Sequence, residues 1–330
     1  MYLGIDLGTT LMKCVVIGDN QEIIFKTSSK NIPLSNLKSG WSEQDPKSWI
    51  IALNYCIKKL KKEINLKNIK SISFSGHMHG ATCLDKNYDV IRKCILWNDT
   101  RSHNECNDIM NDKKVLNISG NIAMPGFTSP KILWLKNNEL KNFKSIHKCL
   151  LPKDYLRFYI TGEFYSDLSD ASGTYWLDIK SRSWSKKLLQ TTFMNLSQMP
   201  KTCEGTDQTG IVKKEIAEKY GFDLKCKVYG GGGDNAAAAV GLGLYEEGDA
   251  SISLGTSGVI FASTKKFLKN YNDAIHSFCH CLPNTWHLMS VMLSCTSNIN
   301  WFIENFNSSL EEISLNLKKA IKSKNLIICT

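Results

Sequence analysis

The residues best suited to catalysis in this sequence follow a run of four glycines at positions 230–233. Asp234 and Asn235 come next, and the alanine-rich segment after them predicts a helix. Because glycine has no Cβ atom, a ligand can approach the backbone closely at such a run. A carboxylate at a helix N-terminus is favoured in its ionised form by the helix dipole. Asp234 is therefore a candidate general base, and the alternative is that its carboxylate serves only as an N-cap.

Two stretches of similar sequence could each bind phosphate. Residues 4–10 read GIDLGTT, and residues 251–258 read SISLGTSG. Each predicts a β-strand that enters a tight turn, and such turns present backbone N–H groups and hydroxyls to an anion. Two of them in separate halves of one chain indicate a duplicated fold that binds a polyphosphate from both sides.

Charged residues accompany the first of these turns. Asp6 could hold Mg²⁺ through water, because Mg²⁺ keeps several waters and takes few carboxylates. Alternatively, Asp6 stabilises its own turn through an Asx hydrogen bond. Lys13, just past the turn, could reach a phosphate or could point to solvent.

Two polar loops follow predicted strands, where α/β proteins usually bind ligands. Residues 76–80 read GHMHG, and residues 97–101 read WNDTR. A flat tryptophan face beside Asn, Asp and Arg groups suits a polyhydroxylated ligand. The alternatives are structural histidines in the first loop and an ion pair between Asp99 and Arg101 on a surface turn in the second.

The elements that position these loops predict a mixed sheet and not an all-parallel Rossmann domain. Residues 2–7, 11–17 and 22–27 read as consecutive antiparallel strands, and residues 69–75 read as a buried crossover strand. Between them, Asp45 and Pro46 predict the start of a helix that ends near residue 64. Further along, Ser129 is the expected N-cap of a helix within residues 126–138. Residues 166–174 read as a polar turn.

Composition limits the other classes of function. The net charge is +10, but the lysines are scattered without interleaved aromatic residues, so nucleic-acid binding is not predicted. The twelve cysteines lack framework spacing and predict reduced thiols in a cytoplasmic protein. His276, Cys279, His280 and Cys281 lack a second ligand pair at zinc-finger spacing, so no zinc site is predicted there. No apolar run approaches ~20 residues, so no membrane association is expected.

Taken together, these motifs resemble the FGGY family of carbohydrate kinases. The matching segments are residues 4–10, 75–80, 96–101, 126–138, 151–155, 231–237, 253–258, 276–280 and 286–289. The resemblance implies an α/β, actin/hexokinase-like (ribonuclease H-like) duplicated fold with a mixed sheet. It implies a sugar-binding domain over residues 1–244 and the first part of an ATP-binding domain over residues 245–330. Because the family continues well past residue 330, we expect a shortened chain whose second domain is incomplete.

The family resemblance also implies a role for each matching residue. Asp234 resembles the base that deprotonates the sugar hydroxyl, and Asp6 the acid that organises Mg²⁺. The implied phosphate-binding residues are Thr9, Thr10, Lys13, Gly255, Thr256 and Ser257. The implied sugar-binding residues are Met78, His79, Trp97, Asp99, Arg101 and Asn235. One departure is His77, which stands where the family usually has glutamine.

The implied reaction is ATP- and Mg²⁺-dependent phosphorylation of D-xylulose to D-xylulose 5-phosphate in the cytoplasm, and the expected assembly is a homodimer. Kinases for ribulose, gluconate or glycerol are rival interpretations within the same class. A catalytically inactive sugar-binding remnant is a rival from another class. A Rossmann dehydrogenase fits worst, because the first strands form hairpins and no ribose-binding acid follows the glycines at the required spacing.

Overall fold

The computed structural model describes residues 1–255, 257–269, 275–292 and 294–323. The strands are β1 (Tyr2–Leu7), β2 (Met12–Ile17), β3 (Ile23–Ser28), β4 (Glu43–Gln44), β5 (Ser71–Gly76), β6 (Thr82–Leu84), β7 (Cys94–Ile95), β8 (Lys148–Leu150), β9 (Tyr165–Asp167), β10 (Leu177–Asp178), β11 (Ser183–Trp184), β12 (Lys201–Cys203), β13 (Gln208–Ile211), β14 (Lys227–Tyr229), β15 (Gly232–Gly233), β16 (Ala250–Leu254), β17 (Gly258–Thr264), β18 (His276–Cys279) and β19 (Trp286–Met292). The helices are α1 (Pro46–Glu63), α2 (His103–Met110), α3 (Lys113–Ser119), α4 (Thr128–Asn138), α5 (Leu140–Ser145), α6 (Pro152–Thr161), α7 (Leu168–Ser172), α8 (Lys186–Gln190), α9 (Lys214–Tyr220), α10 (Asp234–Gly241), α11 (Thr296–Phe306) and α12 (Leu310–Ser323).

The largest sheet has the order β13-β14-β5-β1-β2-β3, with β15 also pairing with β5. Strands β1, β2 and β3 are antiparallel, whereas β5 runs parallel to β1, β14 and β15. The sheet is mixed, as predicted. A separate four-stranded antiparallel sheet has the order β16-β17-β19-β18.

One face of the large sheet is buried and the other is open. Alternation along β1 sends Leu3, Ile5 and Leu7 into a core that α1, α6 and α9 cover. Helix α1 begins as predicted, because the Asp45 carboxylate accepts a hydrogen bond from the Lys47 amide and Pro46 occupies the first turn. The opposite face of the sheet carries Asp6, which is half-buried and lines a cavity.

Two local predictions were wrong. Helix α4 begins at Thr128 with Phe127 as N-cap, and the Ser129 amide donates to the carbonyl of Thr174 instead of capping the helix. Residues 166–174 form the end of β9 and helix α7, almost wholly buried, instead of a polar turn. Their polar side chains contact buried partners, such as Asp154 for Ser166 and Lys153 for Asp167 and Asp170, which composition alone does not indicate.

Two further observations concern the whole described chain. Its eleven cysteines are all free thiols, ten of them buried, as expected for reduced core residues. None of the helices within the described ranges has the length and apolar character needed to cross a bilayer.

Candidate active site

Three parallel strands bring the predicted catalytic carboxylates to one edge of the sheet. The pairing register aligns Asp6 with Ser75 and Ser75 with Gly232. One residue further along, Gly76 pairs with both Leu7 and Gly233. Since the carboxyl ends of parallel strands meet at the same edge, Asp6 and Asp234 share one end of the sheet.

Asp234 is the first residue of α10 and its carboxylate is fixed on one side only. Its Oδ1 accepts hydrogen bonds from the Asn235 amide (2.7 Å) and from Asn235 Nδ2 (2.8 Å). Its Oδ2 has no hydrogen-bond partner among the described residues. Gly233 occupies the N-cap position, so the alternative in which Asp234 is only an N-cap is not observed.

The electrostatic surroundings of Asp234 favour a base that works near neutral pH. Burial raises the pKa of this carboxyl to about 6, the hydrogen bonds from Asn235 oppose the shift, and the nearby Asp6 carboxylate adds to it. A general base is most effective when its pKa lies close to the operating pH.

The glycines before Asp234 are required by the close approach of other backbone segments. Gly231 has φ +75°, and a Cβ atom there would lie 1.9 Å from the carbonyl oxygen of Phe74. A Cβ at Gly233 would lie 2.9 Å from Met78 Sδ. The run therefore lets α10 start directly against β5.

A cavity of about 890 Å³ lies on the open face of the large sheet. Asp6 and Lys13, which face each other across the antiparallel β1–β2 pair, both line it. The Asp6 carboxylate accepts a hydrogen bond from Ser75 Oγ at 3.1 Å. Lys13 is exposed. Its side chain is therefore both solvent-accessible and part of the cavity wall.

The first predicted phosphate-binding turn contacts the second polar loop. Trp97 Nε1 donates to Thr9 Oγ1 at 3.0 Å, and Gln44 Nε2 donates to the Thr9 carbonyl at 2.6 Å. Thr10 is exposed beside it. Sequence reasoning missed Gln44, a fully buried side chain in a two-residue strand that carries no motif.

The second predicted turn is only partly described. The Gly255 amide donates to the Ser257 carbonyl within the turn. The Gly255 carbonyl accepts hydrogen bonds from the amide and the hydroxyl of Thr296. Thr256 lies outside the described residues. Of the described residues expected to bind phosphate, only Lys13 lines the cavity. The idea that the two turns face each other therefore stays a prediction.

The loop after β5 places Met78 and His79 next to the glycine run. Met78 is buried between Gly173 and Gly233. His79 has φ +70°, and its Nδ1 lies 2.7 Å from the carbonyl oxygen of Gly173. A carbonyl can only accept, so Nδ1 carries the proton and Nε2 is left as an acceptor.

Asp99 and Arg101 form an ion pair, but a buried one instead of the surface pair considered above. The Asp99 carboxylate accepts from Arg101 Nη2 at 2.7 Å and from the Ser42 amide at 2.6 Å. Arg101 also pairs with Glu43 at 2.7 Å, and its guanidinium lies 3.6 Å from the centroid of the Trp41 ring. In this structure the two residues hold the loop that presents Trp97.

Sequence reasoning missed a buried amine beneath the His79 loop. Lys131 Nζ donates to the carbonyls of His79 (3.0 Å) and Gly126 (2.5 Å). Thr128 Oγ1 donates to the same His79 carbonyl at 3.0 Å. Burial lowers the pKa of Lys131 to about 7. Two side chains of α4 therefore hold His79 in its left-handed backbone conformation by bonding to its carbonyl.

His77, the departure from the family pattern, points into the core. Its ring packs edge-on against Trp49, and neither ring nitrogen has a hydrogen-bond partner among the described residues. Burial lowers the pKa of His77 to about 3. His77 does not line the cavity, and neither do Asp234, Met78, His79 and Trp97.

A second buried group of charges lies behind the glycine run. Lys153 Nζ contacts three carboxylates, those of Asp154 (2.7 Å), Asp167 and Asp170 (3.2 Å). Arg157 pairs with Asp154 and donates to the Gly230 carbonyl at 2.9 Å. These acids could by themselves hold a metal ion, but the Lys153 ammonium already occupies the space between them. No role had been assigned to these residues from the sequence.

Comparison with known proteins identifies the family. Residues 1–241 match the N-terminal domain of the FGGY family of carbohydrate kinases. The chain belongs to this family. It is 46% identical over 304 residues to the xylulose kinase of Escherichia coli (strain K12), a match that spans 91% of this chain and 62% of that protein. The xylulose kinase of Klebsiella pneumoniae is 45% identical over 303 residues, with the same coverage.

Solved structures show the same relationship. A kinase from Brucella ovis, described as a xyloylose kinase, superimposes with a TM-score of 0.91 at 43% sequence identity, covering 96% of this chain and 66% of that one. The predicted actin/hexokinase-like fold is confirmed by this similarity. The chain spans about 62% of the length of the curated relatives it matches. The division at residue 244 stays a prediction.

Proposed function

We propose that this protein transfers the γ-phosphoryl group of ATP to D-xylulose, with Asp234 as the general base. The observation that carries the proposal is the state of the Asp234 carboxylate: Oδ1 is held by Asn235 and Oδ2 is left to accept a proton. Its relatives in Escherichia coli and Klebsiella pneumoniae are named xylulose kinases, which supports this choice of sugar.

The proposed chemistry asks the protein mainly to position its reactants. Phosphoryl transfer proceeds in line and needs charge neutralisation more than covalent help. Asp234 takes the proton of the attacking sugar hydroxyl, and a positioned base contributes ~10²–10⁴-fold to the rate. In this scheme Asn235 orients the base through its two hydrogen bonds to Asp234 Oδ1.

Asp6, at the same end of the sheet as the base, fits a magnesium ion. Mg²⁺ prefers carboxylate oxygen and water, and the half-buried Asp6 carboxylate lines the large cavity. Asp6 would hold the ion through water, and when bound the ion would neutralise phosphate charge. Lys13 lies across the strand pair from Asp6 and would bind a phosphate oxygen. Thr9, Thr10 and the turn at residues 255–257 would supply further donors.

The sugar would contact the loops after β5 and β7. His79 offers an acceptor at Nε2, since burial lowers the pKa of His79 to about 3 and the ring is neutral at physiological pH. A sugar hydroxyl is a suitable donor to this atom. Trp97 would supply an apolar face, and Met78 would back the glycine run. Asp99 and Arg101 would act by holding the Trp97 loop. We also propose a cytoplasmic location, and homodimerisation stays a prediction.

The experiment that tests this proposal measures ADP release with a panel of ketopentoses, gluconate and glycerol, alongside calorimetric binding of each. We expect D-xylulose to give the highest kcat/KM. Asp234→Asn should remove most turnover and leave the affinity for D-xylulose nearly unchanged, because the amide keeps the size of the side chain but cannot take a proton.

Three results would contradict the proposal. A preference for glycerol or gluconate would assign another substrate. Binding of D-xylulose without ADP release would mean that this chain binds the sugar and does not phosphorylate it. An equal loss of turnover and affinity in Asp234→Asn would indicate a structural role for the carboxylate.

A further inference from the structure

A single hydroxyl, that of Ser169, connects the buried charge cluster to the peptide that carries Asp234. Ser169 Oγ accepts a hydrogen bond from the amide of Gly233 at 3.0 Å, and it donates its own proton to Asp167 Oδ1. Because that proton is committed to the carboxylate, the lone pairs of Oγ face the Gly233 amide. The side chain is completely buried, so water does not compete for either bond.

The carboxylate that orients Ser169 is itself held by several contacts. Asp167 accepts from the amides of Ser169 (3.1 Å) and Asp170 (3.2 Å) and forms an ion pair with Lys153. All of these groups are buried, and a hydrogen bond in a low-dielectric interior is stronger than the same bond in water. The position of the Ser169 oxygen is therefore set by several bonds at once.

The same cluster also holds the other end of the glycine run. Arg157 Nη1 donates to the Gly230 carbonyl at 2.9 Å, while its Nη2 pairs with Asp154. Met78 packs against Gly233 closely enough that a Cβ there would meet Sδ at 2.9 Å. The glycine run is thus hydrogen-bonded at Gly230 and at Gly233, and Met78 packs against Gly233. Glycines cannot hold this path alone, because they have the greatest backbone freedom.

We propose that Ser169 is a positioning residue that fixes the Gly233–Asp234 peptide and so directs the Asp234 carboxylate toward its substrate. Ser169 acts through Gly233 and touches neither sugar nor nucleotide. This inference rests on the proposed function of Asp234, so its test includes measurements that do not need turnover.

Ser166 provides a matched control. It is completely buried, and its hydroxyl donates to Asp154 Oδ2 at 2.6 Å in the same cluster. Within the part of the chain that the structure describes, its side chain forms no hydrogen bond to residues 230–234. Ser166→Ala and Ser169→Ala each remove one buried hydroxyl that serves a carboxylate, so we expect similar losses of thermal stability. Only Ser169→Ala removes a partner of Gly233.

The first measurement is amide hydrogen exchange over residues 229–235 in this chain. We expect exchange at Gly233 to accelerate about tenfold or more in Ser169→Ala and to change by less than about twofold in Ser166→Ala. Ser169→Cys keeps a weak acceptor of similar size and should give an intermediate rate, which keeps the test decisive if the alanine variant folds poorly.

The second measurement follows the carboxyl carbon of Asp234 by NMR, with the signal assigned by its loss in Asp234→Asn. A displaced carboxylate changes its burial and its bonds to Asn235, so the titration midpoint should move in Ser169→Ala and stay in place in Ser166→Ala. With D-xylulose and ATP, Ser169→Ala should lower kcat about tenfold while KM for the sugar changes by less than about threefold.

Equal exchange rates at Gly233 in the two alanine variants, or an Asp234 midpoint that moves equally in both, would overturn the proposal. Failure of the proposed function looks different: the unmodified chain would release no ADP with any sugar. In that event the exchange and titration data still decide whether Ser169 fixes the Asp234 peptide.

Discussion

The structure predicts that Asp6 and Asp234 interact through their charges across the sheet. Replacing Asp6 by asparagine removes one negative charge and keeps the acceptor for Ser75 Oγ. Asp6 and Gly232 both pair with Ser75 from opposite sides, so their backbones lie two strand spacings apart, about 10 Å. Asp234 lies two residues beyond Gly232, so we take the two charges to be about 10–12 Å apart, where they repel by about 1.4–1.7 kcal/mol at an effective dielectric constant of about 20.

That repulsion corresponds to roughly one pKa unit, because one unit equals about 1.4 kcal/mol. We therefore expect Asp6→Asn to lower the pKa of Asp234 from about 6 to about 5. Burial, the larger cause of the shift, is unchanged by the substitution, so the pKa should stay above that of an exposed aspartate.

The assay is the same carboxyl NMR titration of Asp234 between pH 3 and 8. Asp19→Asn is the control, since Asp19 is exposed and pairs with Lys70 at 2.8 Å. This control should leave the Asp234 midpoint in place. A midpoint in Asp6→Asn that is unchanged or higher would refute the idea that the two carboxylates share one site.

Two further predictions concern buried bases. Burial lowers the pKa of Lys131 to about 7, so the unfolded chain binds more protons than the native chain between pH 7 and 10. The free energy of unfolding, measured with urea, should therefore rise by about 2–3 kcal/mol from pH 7.5 to 9.5 relative to the Lys131→Met variant. The same pH dependence in the unmodified chain and in Lys131→Met would contradict this prediction. Histidines that are buried and neutral in the native chain take up protons in acid when the chain unfolds. Their contribution to the free energy of unfolding should therefore be complete above pH 6.5 and fall by up to about 1.4 kcal/mol per pH unit per histidine as the pH drops toward 4. Proton uptake on unfolding at pH 5, measured by calorimetry in buffers of different ionisation enthalpy, should therefore exceed one proton per molecule. An uptake near zero would refute the prediction that these histidines are neutral in the native chain. The histidines concerned are His77, His79, His276, His280 and His287.

The sheet and its first helix could be predicted from sequence because their signals are local. Alternating apolar residues mark β1 and β2, and Gly18 with the residues after it marks the turn to β3. Asp45 and Pro46 mark the start of α1. Each of these signals acts within a few residues of the element that it specifies, so no knowledge of distant contacts is needed.

The support beneath the site could not be predicted, because it depends on pairing between distant residues. Ser169 and Asp167 read as part of a polar turn until Lys153, more than ten positions earlier, is placed among them. Likewise, Lys131 reads as an ordinary helical lysine until the His79 carbonyl is brought to it. A polar residue that is satisfied by a buried partner and one that is satisfied by water look the same in a sequence.

This difference explains why a sequence proposes residues at strand ends for a site and gives no indication of the residues that support them. Asp234 and Asp6 stand at strand ends, where any ligand of the sheet edge must come, so position along a strand already indicates a role. Asp99 and Arg101 stand in a similar loop, yet the structure commits both to a buried ion pair with Ser42 and Glu43. A charged residue after a strand therefore indicates either a ligand or a loop anchor. The deciding quantity is how many of its polar atoms remain without a protein partner: Asp234 has one such oxygen among the described residues, whereas both oxygens of Asp99 accept hydrogen bonds.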